Sequence, residues 1–268
     1  MLYRAYTAFR RPAMTPSSQI RQKSSLPPWG FKAGAQPLMS HPRMWLRSGC
    51  VSATILIALL SFAPAPCGAG EKERSAETEE GWESLFDGKT LTGWKLTEFA
   101  GRGAVEVKDG RIILAAGSDL TGISWANPNT LPRIDYEVDL FAMRLEGTDF
   151  FCGLTFPVRD ACCTFVVGGW GGTVAGISSL DGLDASQNET TRNMNFELKR
   201  WYHIHVRVTQ SKIECWIDEE KVVDVVTTGR KISMRPGEIE IAQPFGISTW
   251  QTTGAARDIS MRKLPRGR

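Results

Sequence analysis

The chain has 268 residues, 42% of them hydrophobic and 23% charged, with 26 Gly, 14 Pro and 9 Trp. That composition excludes collagen-like, low-complexity and wholly disordered classes, and the length suffices for one large domain or two small ones. The net charge of +3 comes from the first seventy residues, which hold eight Lys/Arg and no acid; residues 71–268 hold 24 Lys/Arg against 29 Asp/Glu, a net −5 that argues against nucleic-acid binding through a basic field.

The longest apolar run is Val51–Phe62 (VSATILIALLSF), twelve residues against the ~20 a membrane span needs. Arg43 and Arg47 precede it, and small residues follow from Ala63 to Gly70. Basic, apolar, small is the order of a secretory signal peptide, which makes residues 1–70 a leader and the mature chain an exported, periplasmic or extracellular one with no stable span. A transit peptide is the rival reading of this acid-free, Arg-rich stretch. Translation starting at Met39 or Met44 would shorten it. Cys67 invites a lipid anchor, but Pro66 before it is a poor fit to a lipobox. Glu71–Glu80 (EKERSAETEE) reads as a charged linker, residues 81–264 as one domain, and residues 265–268 as a short basic tail.

From residue 81 onward, alternation of period two replaces helical periodicity. Ile134–Leu140 (IDYEVDL) sets Ile134, Tyr136, Val138 and Leu140 against Asp135, Glu137 and Asp139. Trp201–Val208 (WYHIHVRV) sets Tyr202, Ile204, Val206 and Val208 against Trp201, His203, His205 and Arg207. Ile213, Cys215 and Ile217 repeat the pattern. Further strands are expected at 105–108, 111–115, 150–157, 162–167, 221–227, 238–242, 245–250 and 256–263. Asp109-Gly110 and Asp218-Glu219-Glu220 carry turn chemistry between runs. A dozen short strands in ~180 residues predict an all-β jelly-roll sandwich of two antiparallel sheets.

The phrase Leu85–Trp94 (LFDGKTLTGW), the VKDGRI of Val107–Ile112 and the closing RDISMRKL of Arg257–Leu264 resemble the secreted bacterial 3-keto-disaccharide hydrolase domain family, formerly a domain of unknown function. The resemblance spans residues 81–264. It implies a concanavalin/laminin-G-like sandwich and a saccharide or 3-keto-glycoside substrate. The middle of the chain, Phe150–Thr191, departs from the family's usual phrases, so its catalytic positions are not carried over.

A ketone at carbon 3 acidifies the hydrogen at carbon 2 and makes the oxygen at carbon 1 a β-leaving group. Cleavage then needs a base, an acid and a stabiliser for the enolate; ordinary glycoside hydrolysis needs two carboxylates. Three clusters are candidates. Asp181, Asp184, Asn188 and Glu189 crowd the loop 178–193, where function or a Ca²⁺ site competes with plain solvation; Asn188-Glu189-Thr190 is also a sequon. Glu137 and Asp139 share one strand face, as do His203, His205 and Arg207; each set is an acid/base or ligand candidate, or a solvated face. Trp170, inside Gly168-Gly169-Trp170-Gly171-Gly172, and Trp250 are candidate sugar platforms. Thus the catalytic candidates are Asp181, Asp184, Glu189, Glu137 and Asp139, and the substrate-binding candidates are Trp170, Asn188, Trp250, His203 and Arg207, with no assigned metal ligand. Cys152, Cys162, Cys163 and Cys215 carry no nucleophile signature, and no pairing is assigned. A non-catalytic module binding glycan or a cell-surface partner is the alternative to a hydrolase.

Overall fold

The structure, a computed structural model, describes residues 81–265. The apolar run Val51–Phe62, Cys67, the stretch Glu71–Glu80 and residues 266–268 lie outside the described residues. Fifteen strands follow one another: β1 (Trp82–Ser84), β2 (Trp94–Leu96), β3 (Val105–Lys108), β4 (Arg111–Leu114), β5 (Leu120–Trp125), β6 (Tyr136–Glu146), β7 (Cys152–Val158), β8 (Ala161–Gly169), β9 (Val174–Ser178), β10 (Arg192–Asn193), β11 (Trp201–Val208), β12 (Lys212–Ile217), β13 (Glu220–Val226), β14 (Gly246–Trp250) and β15 (Thr253–Lys263). One sheet runs β13-β12-β11-β6-β15-β4-β3, with β1 added to β15; the other runs β10-β9-β8-β7-β14-β5-β2. All pairings are antiparallel. The expected all-β, two-sheet sandwich is present. Among the described residues no helix is long and apolar enough to cross a membrane.

Two tight hairpins follow from local chemistry. Lys108 pairs with Arg111 across Asp109-Gly110, both at positive φ, and Ile217 pairs with Glu220 across Asp218-Glu219. The core lies between the sheets. Alternation on β11 buries Tyr202, Ile204, Val206 and Val208 and leaves Trp201, His203, His205 and Arg207 half-buried outside. Tyr136 reaches across to donate its hydroxyl to the Pro157 carbonyl (2.6 Å), so the buried phenol is satisfied. Cys152, Cys162, Cys163 and Cys215 are all buried free thiols, and burial pushes the Cys152 thiol up to about 12. Such thiols pack as small hydrophobes and are poor nucleophiles.

β7 and β8 are buried on both sides, so they read as continuous apolar runs and not as alternating ones. Their outer side lies under a strap formed by residues 230–245. The strap starts beside β9, where Ser179 and Ser233 exchange backbone hydrogen bonds (2.8 and 3.2 Å). It passes β8, where the Thr164 hydroxyl donates to the Met234 Sδ (3.8 Å), and ends with Ala242 against Gly246 of β14, where a Cβ would meet the Ala242 carbonyl at 2.8 Å.

The strand expected at 238–242 is a 3-10 turn, Glu238–Ala242. Its EIEIA alternation has no neighbouring strand to pair with. The Glu240 and Gln243 amides bond three residues back instead, to Gly237 and Glu240, and Gly237 turns the chain at φ 130°. Ile239 fills the small cluster of Phe99, Leu120 and Ala242.

Candidate active site

The outer face of the seven-stranded sheet carries a pocket of about 460 Å³. Its floor is Thr164 and Val166 of β8 and Ser178 of β9. The strap closes one side with Arg235, Gly237, Glu238 and Ile239, and Phe150, Trp170, Trp250, Asp119 and Asp149 complete the wall. Trp170 and Trp250, far apart in sequence, are thereby brought together.

Trp170 sits in the β8–β9 turn at φ 50°, and Gly168, Gly171 and Gly172 around it are also at positive φ (79°, 81° and 104°). Only glycine accepts this geometry without strain, so the GGWGG run lifts the indole out of the sheet, leaving it 38% exposed. The Arg235 guanidinium lies 5.8 Å from the indole ring and 3.5 Å from an Asp184 oxygen.

Asp149 is the pocket carboxylate held most firmly. Its Oδ1 accepts the Phe150 amide (2.8 Å) and its Oδ2 accepts the Gly171 amide (3.1 Å), which ties it to the Trp170 turn. Each oxygen keeps a free lone pair. Asp119 accepts from the Gln251 amide group (3.1 Å), and Glu238 from the Ala100 N–H (3.3 Å).

The other sequence candidates fall elsewhere. Asp184 adjoins the pocket: its Oδ1 accepts the Ser178 and Ser179 hydroxyls (3.0 and 3.1 Å). Asp181 and Glu189 point to a shared Arg230 guanidinium (2.6 and 2.5 Å) and do not line the pocket. The Lys231 amide and Arg230 lower the Asp181 pKa, and Arg230 lowers that of Glu189. The cation this loop gathers is thus a guanidinium. Among the described residues no group of three His, Cys, Asp or Glu is arranged to hold a metal ion. Asn188, placed among the substrate contacts by sequence, is buried and spends its amide on the loop itself. Its Nδ2 donates to the Ile177, Leu183 and Asp184 carbonyls, and its Oδ1 accepts from Thr190.

Glu137, Asp139, His203 and Arg207 lie on the outer face of the eight-stranded sheet, away from the pocket's sheet. There Glu137 accepts from Arg207 and Arg262 (2.5 Å each), with His205 3.4 Å away. Burial raises its carboxyl, but the hydrogen bonds from His205, Arg207 and Arg262 outweigh that and hold it at about 2. Asp139 binds His203 (2.6 Å) and His205 (3.1 Å). Burial opposes these bonds too, yet they leave Asp139 lowered and both histidines raised. Arg262 lies over Trp82, Arg207 over Trp216, and Arg257 over Trp201, so the aromatic faces here are already covered.

Sequence reading missed Asp119, Asp149, Glu238 and Arg235. The two aspartates stand in turns just before β5 and β7, a position shared by many surface acids. Arg235 and Glu238 belong to the strap, whose course over the sheet leaves no local pattern.

A family model described as the 3-keto-alpha-glucoside-1,2-lyase-like domain matches residues 81–262. Among curated proteins no match is found. Among solved structures, the carbohydrate binding module CBM66 from Bacillus subtilis is similar at 11% identity and TM-score 0.41, covering 64% of this chain and 96% of its own. Domain 4 of AbnA, a GH43 extracellular arabinanase from Geobacillus stearothermophilus, in complex with arabinotriose, is similar at 13% identity and TM-score 0.44, covering 70% and 93%.

Proposed function

The chain belongs to the 3-keto-alpha-glucoside-1,2-lyase-like domain family, and from that premise we propose that it cleaves the glycosidic bond of a 3-keto-glucoside in the Trp170–Trp250 pocket. The observation that carries this reading is the meeting of two tryptophans, a pinned carboxylate and a guanidinium in one cleft. Indole faces stack on the C–H surface of a sugar ring and orient it. Asp149 takes the proton from carbon 2. The electron pair moves toward the carbon-3 ketone as an enolate, which the Arg235 guanidinium stabilises. Collapse of the enolate forms the carbon 1–carbon 2 double bond and expels the oxygen at carbon 1. Water then adds at carbon 1 and returns the keto-sugar. The departing oxygen takes up the proton that Asp149 gained from carbon 2, which restores the carboxylate before water adds.

The exposed Trp170 also fits a module that binds glycan without cleaving it. The test incubates the purified chain with 3-keto-glucosides and their unoxidised parents. Release of free keto-sugar by the wild type, and its loss in Asp149→Asn, is the expected result. Binding that needs Trp170, with no release, would replace the enzyme by the binding module.

A further inference from the structure

Arg144 stands at an inward position of β6, in phase with the buried Tyr136, Val138, Leu140 and Ala142. A charge there contradicts the pattern unless it has partners. Its side chain crosses to the other sheet, where Nη2 donates to the Gly168 carbonyl (3.2 Å) and the Gly172 carbonyl (3.0 Å). These two glycines bracket Trp170. A Cβ on Gly168 would sit 2.5 Å from that nitrogen, so glycine at 168 also makes room for the guanidinium. Phe151 packs under the guanidinium at 5.2 Å and is itself held edge-on by Phe196 and in a tilted pair by Tyr202. Arg144 is only 6% exposed and does not line the pocket.

A turn with four of its five residues at positive φ relaxes unless something outside it fixes it. We infer that Arg144 is a positioning residue that fixes the Trp170 turn and so presents the indole to the sugar. The inference rests on the reading that Trp170 is the sugar platform. Arg144 acts by preorganisation: without it the turn must be ordered when substrate binds, which weakens binding.

The test measures KM and kcat of the full chain for a 3-keto-glucoside, or Kd for the same compound if no turnover occurs. It compares wild type, Trp170→Ala, Arg144→Met, Arg144→Lys and the double variant Arg144→Met/Trp170→Ala, each normalised to its folded fraction by circular dichroism. Trp170→Ala is expected to raise KM about tenfold, the size of one lost stacking contact. Arg144→Met raises KM by about the same factor, and because Asp149 keeps its bond to the Phe150 amide when the turn loosens, kcat falls by no more than about threefold. The double variant lies within about twofold of either single one, because both remove the same platform. Arg144→Lys, which keeps the charge and one donor direction, raises KM only about threefold.

A fully additive double variant, about a hundredfold worse, would overturn the inference. So would an Arg144→Met protein whose KM is unchanged while only the folded fraction falls. If Arg144→Met does not fold, Arg144→Lys decides: an unchanged KM overturns the inference. If Trp170→Ala itself leaves KM unchanged, the platform reading fails and the positioning role falls with it.

Discussion

The two outer faces of the sandwich differ in a way their sequences do not announce. The face of the eight-stranded sheet carries large charged and aromatic side chains, and they satisfy one another: Glu137 with Arg207 and Arg262, Asp139 with His203 and His205, guanidiniums over indoles. The face of the seven-stranded sheet carries small residues such as Gly153, Thr155, Thr164 and Ser178, and a strap crosses it. The first face is rich in chemistry and closed. The second is plain and concave, and it holds the pocket. A dense row of ionisable groups is therefore weak evidence for a site when each group already has its partner.

This contrast breaks most sharply at Asp149. Asp149→Asn removes the base and keeps one of the two backbone hydrogen bonds, because the new Nδ2 cannot accept an N–H, so kcat for a 3-keto-glucoside is expected to fall about a hundred- to a thousandfold while the melting temperature drops only about 2–4 °C. Equal activity in this variant would move the base elsewhere.

Glu137→Gln should do the opposite. It leaves two guanidiniums without their shared counter-charge beneath a fully buried side chain. A loss of about 2–3 kcal/mol in urea unfolding is expected, discounted because the arginines are partly exposed, with kcat/KM per folded molecule unchanged. A large fall in kcat/KM at full stability would place chemistry on the closed face.

A smaller effect sharpens the comparison. Trp250→Ala removes part of the pocket wall and should raise KM about tenfold, whereas Trp216→Ala, on the other face, should leave KM where it is.

The smallest effect is the response to pH. His203 is raised above 6.5 chiefly by its bond to Asp139, and His205 is raised because its bonds to Asp139 and Glu137 outweigh burial. A raised histidine contributes stability that is fully present below its unfolded value and is lost as pH rises through the folded one. Stability should therefore decline as pH climbs from 6.5 upward through the folded values. The double variant His203→Gln/His205→Gln should flatten that decline, read as melting temperature against pH. Glu137 acts in reverse: held at about 2, it contributes above its ordinary 4.5 and loses that contribution as pH falls toward 2.

Much of the fold was legible. β11 and β12 alternate as strictly in space as in sequence, and Asp109-Gly110 makes the hairpin its residues promise. The expected family is the one that matches. The misreadings share one cause. Glu238–Ala242 alternates like a strand, but a strand needs a partner and none is beside it. Glu137 and Asp139 share a face as predicted, but that face is the closed one. Trp170 and Trp250 were legible as separate candidate sugar platforms, and nothing in their flanks said that they meet. Arg144 left one trace, a charge at an inward position of an otherwise alternating strand.

The sequence by itself determined the strands, the tight turns, the inward and outward faces and the family, because these depend on residues two to four apart and on a phrase read in order. Only the tertiary structure decided which outer face is open and which carboxylates meet there. That choice depends on a strap arriving some seventy residues after β8 and on an arginine reaching from one sheet to a turn on the other, and contacts between such distant segments leave no periodic mark on the chain.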